Sequence, residues 1–587
     1  MKGSIFALGG ISIAAKSVLA IPTLTQDFDN VYKRASTCNT AENRTCWSDG
    51  YDIDTNYMES FPDTGVTRQY TIVVSEGENL DQDGIVKPLG MLINGTFPGP
   101  TLYADWGDSL EVTVINNLTY NGTSTHWHGI TMMNNNVNDG VNGITECPTA
   151  PGSSKTYTFR AEQYGSSWYH SHFSTQYGSG VAGALIVNGP TTANYDIDLG
   201  PYMITDYYYK TAEEIYSTVI IPSPGIPPAA DNILFNGTNV NAEGGGSYSV
   251  INLTAGKTHL LRLINPSVDA EMILTLENHN FTIVATDFVP VEPRTVDQVF
   301  LAIGQRLDVL ITADQDVSNY WFNMTYPSNG LCGSSEIDFP AAIVRYEGAD
   351  ETNPTGSGTA PTDQSCDDLI DFVPHVSVTV PSESFDDDLN DSLDISLTTK
   401  TWKDIESRVY WTVSNSSMNI SWGYPTLAYI RDDNESYPTE LNVLKVADDQ
   451  EWSYWVINNE LALPHPMHLH GHDFYILGSS GTVDTATTFN ATTDTASLNF
   501  SNPTRRDVTM LPGLGWLVVA FKNDNPGAWL MHCHIAWHVG SGLSVQFVEK
   551  VSEIKSTLDL DSELEPTCTN WNAYYEEATF HQEDSGL

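Results

Sequence analysis

Trp529-Leu-Met-His532-Cys533-His534-Ile-Ala-Trp537-His538-Val-Gly-Ser-Gly-Leu543 sets a cysteine between two histidines near the end of a chain of 587 residues. Successive side chains on a strand point to opposite faces, so His532 and His534 share one face and Cys533 takes the other. One strand thereby serves two metal sites. A thiolate with two imidazoles and a weak or absent axial ligand is the donor set of an electron-transfer copper, and His538 is close enough in sequence to join Cys533. His532 and His534 are left for a second centre behind it.

A second run, His465-Pro-Met-His468-Leu-His470-Gly-His472-Asp-Phe474, supplies further donors. His468 and His470 share a face, while His465, held between Pro464 and Pro466, turns elsewhere. Two more pairs stand far upstream: His126-Trp-His128-Gly129 and His170-Ser-His172. A lone His-x-His pair reads as a surface or core feature. Four pairs take eight of the fifteen histidines, and His465 and His538 extend the set to ten. His259, His375 and His581 belong to no pair and are read as non-ligands.

Alternating apolar runs such as Leu110-Glu-Val-Thr-Val-Ile115 and Leu543-Ser-Val-Gln-Phe-Val548, separated by Gly, Asn and Pro, predict short strands stacked as β-sandwiches. The chain also repeats itself. His126-Trp-His128-Gly129 is echoed by His468-Leu-His470-Gly471, and Trp168-Tyr-His170-Ser-His172 by Trp529-Leu-Met-His532-Cys-His534. A third copy lies between them with its ligands absent: Asn278-His279-Asn280-Phe281 matches Gly471-His472-Asp473-Phe474, and Tyr320-Trp-Phe-Asn-Met324 takes the later strand. His279 and His472 hold the same place in a metal-free and a metal-bearing copy, so both are read as structural. Boundaries near Pro190 and Pro374 follow. Four histidines from the first copy and four from the last predict a cluster in the interface between them, with the middle copy as a spacer and a wall of the substrate pocket.

These four histidine segments resemble the signature segments of the multicopper oxidases, and their flanks are similar to ascomycete laccases over essentially the whole chain. The resemblance implies an all-β fold of three consecutive cupredoxin-like Greek-key β-sandwich domains, 35–190, 191–375 and 376–587. It implies four copper ions. The type 1 ion falls to His465, Cys533 and His538, and the type 2 ion to His126 and His468. The type 3 pair falls to His128, His170 and His534 on one ion and to His172, His470 and His532 on the other. Leu543 occupies the axial position, where ascorbate and bilirubin oxidases carry Met; a side chain that cannot bind raises the potential.

The same resemblance implies an activity: phenols or diphenols give up single electrons, which pass along the Cys533 backbone to His532 and His534, and dioxygen becomes water. Asp139, in Asn138-Asp-Gly140, matches the carboxylate expected to deliver protons near the type 2 ion. Asp269 aligns with an acidic position that contacts phenols, and Trp537, His538, Leu461 and Leu463 are expected around the pocket. Asp584-Ser-Gly-Leu587 matches a terminus that plugs the channel to the three-copper cluster. A dedicated phenol-coupling oxidase of pigment or natural-product synthesis would carry the same sites. A ferroxidase lacks support, since the chain shows no clear added acidic iron site and no membrane anchor. A simple blue-copper carrier leaves eight histidines unexplained.

Lys2, an apolar stretch from Ile5 to Leu19 and Val18-Leu-Ala20 predict a signal peptide over 1–20. Lys33-Arg34 predicts a propeptide over 21–34, and the product is expected to be secreted. Asn-x-Ser/Thr triplets at Asn43, Asn94, Asn117, Asn121, Asn236, Asn252, Asn280, Asn323, Asn390, Asn415 and Asn434 fit a glycoprotein. With 25 basic and 74 acidic side chains the net charge is −49, which excludes nucleic acid and anionic membranes as partners. Phenols and dioxygen remain as the expected partners of a monomer. Seven cysteines make an odd count. If Cys533 is a copper thiolate, six can pair in an oxidising compartment, and the resemblance implies Cys38 with Cys46, Cys332 with Cys366, and Cys147 with Cys568.

Overall fold

The computed structural model describes residues 38–587 apart from 49, 329, 386–388, 390–391 and 404–405. The expected signal peptide and propeptide, and the triplet at Asn390, lie outside the described residues. Strand Ser109–Asn116 shows what the alternating pattern does: every second side chain is buried, and Leu110, Val112 and Val114 enter the core. Strand Ser544–Glu549 carries a similar pattern but is buried on both faces. Val545 and Phe547 pack in the cluster that holds Cys533, whereas Val548 meets Ile554, Leu558, Leu560 and Leu564. Those partners come from two helices after the last strand, Val551–Thr557 and Leu560–Glu577. The longer helix starts at Asp559, whose carboxylate accepts the Ser562 amide, with Asp561 and Glu563 in the first turn, as the helix dipole favours.

Three β-sandwiches follow one another. The middle one has eleven strands from Ile197–Tyr207 to Ala341–Tyr346, and the last has eleven from Leu393–Trp402 to Ser544–Glu549. Counted from the first strand of each, both have one sheet in the order 2-1-4-9-6-7 and a second in the order 3-11-10-5-8. The two domains are copies strand for strand. The first sandwich, eight strands from Thr67–Asp81 to Ala182–Asn188, keeps the same order without strands six to eight of the larger plan.

The copies place the histidines. In the last sandwich the fifth strand, His465–Leu469, lies antiparallel to the tenth, Gly527–Cys533, with His468 opposite His532 and Met467 opposite Cys533. In the first sandwich the equivalent strands set His126 opposite His170. The middle sandwich pairs Met272–Leu276 with Asn319–Thr325, where Leu, Phe and Met fill the same places. His279 and His472 also correspond. Each ring's Nδ1 faces the carbonyl two residues earlier, and each Nε2 reaches the last strand of its own sandwich, at Tyr346 in one and Glu549 in the other.

Three disulfides join Cys38 to Cys46, Cys332 to Cys366 and Cys147 to Cys568. The last crosses from the first sandwich to the helix Leu560–Glu577, where Trp571 is buried against Phe173, Ala150 and Cys147. Asn136 strengthens the same contact: its side chain donates to the Ala528 carbonyl and accepts the Ala528 amide, both at 3.0 Å, as a neighbouring strand would. Two of the glycosylation triplets are enclosed, with Asn323 at 3% and Asn121 at 8% exposure.

Candidate metal centre

Cys533 is the free cysteine among the described residues and is buried. Its Sγ lies 3.6 Å from His465 Nδ1 and 3.5 Å from His538 Nδ1, and the two Nδ1 atoms are 3.1 Å apart. The alternation of the tenth strand supplies the cysteine, the fifth strand supplies His465 at its first residue, and the short helix Ala536–Gly540 supplies His538. The Trp411 ring packs on both imidazoles, at 4.9 and 4.3 Å between centroids. Leu543 is buried in the same apolar cluster, its carbonyl accepting the Cys533 amide. Burial drives the Cys533 thiol up and His465 down to about 3. The imidazoles are therefore neutral bases with free lone pairs.

On the opposite face of that strand His532 and His534 join six more histidines, all buried. Donor atoms converge in triplets: His128, His170 and His534; His172, His470 and His532; His126, His128 and His468. Each triplet mixes residues of the first and last sandwiches, so the cluster exists only where the two meet. One nitrogen of several rings is already committed. His126 Nδ1 faces the Asp139 carbonyl at 2.8 Å, His468 Nδ1 the Asp507 carbonyl at 2.8 Å, and His532 Nδ1 the Cys533 carbonyl at 2.8 Å. Asp139 Oδ2 lies 2.9 Å from His470 Nδ1 and Oδ1 lies 3.2 Å from His126 Nδ1. This carboxylate therefore touches rings from both domains.

The nitrogens left over are what a metal requires. In the eight-histidine cluster, Nε2 of His126, His170 and His468, Nδ1 of His128, and both nitrogens of His172 and His534 are buried without a hydrogen-bond partner. Polar atoms stranded in this way each cost on the order of 1–3 kcal/mol. Protonation would not relieve them, because burial and the neighbouring imidazoles push the His170, His172 and His534 pKa values well down. A soft thiolate with two imidazoles, beside an all-imidazole pocket, fits copper ions and has no fitting purely structural use.

On the outer side, Asp269 is partly exposed on the turn Asn265–Asp269. Asp206 grips this turn, accepting the Val268 amide at 2.9 Å and the Asp269 amide at 2.8 Å. The Val268 carbonyl accepts the Ala536 amide, so the turn abuts the helix that carries His538. Burial, with Glu271 and Asp206 beside it, pushes the Asp269 carboxyl well above its usual range; Glu271 rises to about 8 and Asp206 to about 6. Leu461 and Leu463 are half-buried against the cluster around Cys533. Trp537 differs from its expected place on the pocket wall. It is 1% exposed and its ring meets Tyr208 inside the fold. His538, expected at the pocket, is 4% exposed.

Asp584 to Leu587 are buried between the first and last sandwiches. Asp584 accepts a hydrogen bond from Ser174, the Ser585 amide donates to the Gly540 carbonyl at 2.9 Å, and Leu587 packs with Val137, Val141 and Ile420. His259, His375 and His581 join neither cluster: His259 accepts the Thr254 amide, His375 bridges Asp54 and Glu292, and His581 lies edge-on to Tyr575. Asp507, which touches His128 and His468, and Arg306, which grips Asp507, have no counterpart in the histidine spacing and are not legible from it.

Models of the multicopper oxidase family match residues 74–192, 198–349 and 398–553, one per sandwich. The chain is 48% identical to a laccase of Cryphonectria parasitica, covering 98% of each sequence. It is also 48% identical to laccase-1 of Melanocarpus albomyces, covering 94% of this chain and 90% of that one. The crystal structure of a laccase from Botrytis aclada superposes with a TM-score of 0.85 at 40% identity, covering 94% of this chain and 100% of that one. With one family model on each sandwich and both donor sets lying where the duplicated strands bring them, the chain belongs to the multicopper oxidases.

Proposed function

We propose that this protein is a secreted laccase of three domains, 35–190, 191–375 and 376–587, which oxidises phenols and reduces dioxygen to water. The observation that carries the reading is the junction at His532-Cys533-His534: one strand contributes to both donor sets, and adjacent residues join them covalently. Cys533, His465 and His538 would hold the type 1 copper. His126 and His468 would hold the type 2 ion, with His128, His170 and His534 on one type 3 ion and His172, His470 and His532 on the other. When bound, copper supplies acceptance of single electrons from the donor and the four-electron reduction of dioxygen.

The remaining work belongs to side chains. Leu543 presents no donor to the type 1 site. Asp139, between His126 and His470, relays protons toward the cluster. Asp269, on the turn fixed by Asp206, accepts the proton a phenol releases as it is oxidised. Leu461 and Leu463 offer apolar contact to the ring. The Asp584–Leu587 terminus closes the cluster toward solvent. Complete donor sets within one chain support a monomer. No helix among the described residues is long and apolar enough to cross a membrane.

The test is copper per chain together with oxygen consumed per phenol oxidised. Four coppers and one dioxygen for every four one-electron donors are expected. One copper per chain, or hydrogen peroxide as the product, would overturn the reading.

A further inference from the structure

The middle sandwich contributes no histidine to the cluster, yet it grips a residue that touches two of the cluster's histidines. Asp507 lies in the last sandwich, between strands seven and eight, and is fully buried. Its Oδ1 lies 3.1 Å from His128 Nε2 of the first sandwich, and its backbone carbonyl lies 2.8 Å from His468 Nδ1 of its own. Arg306, from the middle sandwich, donates to both carboxylate oxygens, at 2.6 Å from Nη1 and 2.7 Å from Nη2. The Arg306 Nε donates to the carbonyl of Ser166, on the first-sandwich strand that ends at His170. Asp287, also in the middle sandwich, completes the grip. Its Oδ2 accepts the amides of Asp507 at 3.1 Å and Val508 at 3.3 Å, and its Oδ1 accepts the Arg306 amide at 2.9 Å.

The fold alone does not demand this burial. In the middle sandwich the residue between strands seven and eight is Asp297, which is exposed and accepts from Thr362. The glycine after His128 belongs to the same device. Gly129 has φ +74°, and a Cβ there would lie 2.5 Å from both Arg306 Nη2 and Asp507 Oδ2. A forked guanidinium satisfying both carboxylate oxygens is the geometry that a lysine cannot reproduce.

We infer that Arg306 is a positioning residue for the copper cluster, acting through Asp507. A carboxylate bound on both oxygens by a guanidinium accepts hydrogen bonds and cannot give one, so His128 must donate from Nε2 and present Nδ1 as its lone pair. The Asp507 carbonyl imposes the opposite tautomer on His468, leaving Nε2. Both remaining lone pairs, on His128 Nδ1 and His468 Nε2, are among the buried nitrogens without partners. One residue therefore fixes the ligand atom of a ring from each outer domain, and the middle domain fixes that residue. The middle sandwich is more than the spacer its missing histidines imply. This inference rests on the copper reading above.

The test compares Arg306→Gln, which removes charge and fork, with Arg306→Lys, which restores the charge alone. Copper per chain is measured during exposure to a chelator, together with the absorption of the type 1 site. Disturbing a group that orients a metal-binding histidine typically costs about 10–100-fold in metal affinity. The glutamine variant should lose cluster copper about 10–100-fold faster while keeping the type 1 copper and its blue colour, with the lysine variant between it and the unaltered protein. Unchanged copper retention in both variants overturns the inference. So does simultaneous loss from the cluster and the type 1 site, or failure of both variants to fold, since each marks Arg306 as a general folding residue. If the unaltered protein itself lacks four coppers, the functional reading falls instead.

Discussion

Removing the bridge between Cys147 and Cys568 should loosen the copper cluster before it loosens anything else. The two cysteines stand 421 residues apart. In the chain-entropy model a loop of that length is worth about 6 kcal/mol, but measured bridges span about 0–5 kcal/mol, so about 4 kcal/mol is a reasonable expectation for Cys147→Ala with Cys568→Ala. Unfolding entropy near 60 °C is about 2.1 cal/mol/K per residue, or about 1.2 kcal/mol/K for roughly 550 residues, so the thermal midpoint should fall by only about 3–4 °C. The local effect is larger. The bridge pins the helix Leu560–Glu577 to the first sandwich, while the eight cluster histidines are shared between the first and last sandwiches. His465, Cys533 and His538, the proposed type 1 donors, all lie in the last. Calorimetry combined with copper analysis after incubation a few degrees below the midpoint separates the two sites. Cluster copper should leave first and the blue type 1 absorption should persist. An unchanged midpoint with full copper, or type 1 copper departing first, would refute the argument; Trp571 and Asn136 would then suffice to hold the domains together.

Leu543→Met offers a weak axial donor and should lower the type 1 potential, which redox titration measures; an unchanged or higher potential means the side chain is not axial. Asp269→Asn should slow phenols more than a non-phenolic one-electron donor and remove a rise in phenol turnover with pH, since burial and two neighbouring carboxylates keep Asp269 protonated above its usual range. Equal losses for both donor classes would show an ordinary turn residue. Asp206 and Asp584 are both raised to about 6 by burial, against an unfolded value of about 3.9. A carboxyl raised on folding stabilises fully below its unfolded pKa and loses that stabilisation as pH rises through the folded value, so each should forfeit about 2 kcal/mol between pH 4 and pH 7. The thermal midpoint should fall over that window, and a midpoint that rises instead would contradict the assignment.

The donor sets were legible because strand geometry has a period of two: His-x-His is a one-face signal, and Cys533 between two histidines is the same signal for both faces. Duplication was legible for the same reason, since the motif strands recur with their glycines. What escaped the sequence acts through space. Arg306 and Asp507 are 201 residues apart in the chain and carry no spacing of their own. The helix Leu560–Glu577 has only Leu560, Leu564 and Trp571 as buried residues, too few to impose a helical apolar stripe on an acidic segment. The neighbouring His538 suggests a place on the pocket for Trp537, but adjacent residues on a short helix face different surroundings, and its indole turns inward.

The bridge from Cys147 to Cys568 also sets a clock on synthesis. At about 5–20 residues per second, the ribosome delivers the second cysteine about 20–80 seconds after the first. Cys332 and Cys366 emerge inside that interval and find each other only 34 residues apart. Cys147 has to stay reduced and unclaimed on a nearly finished first domain while a competing pair forms beside it. A cell making this enzyme therefore depends on its disulfide isomerase more than the small number of bridges would indicate, and the yield of folded chain should respond to that supply.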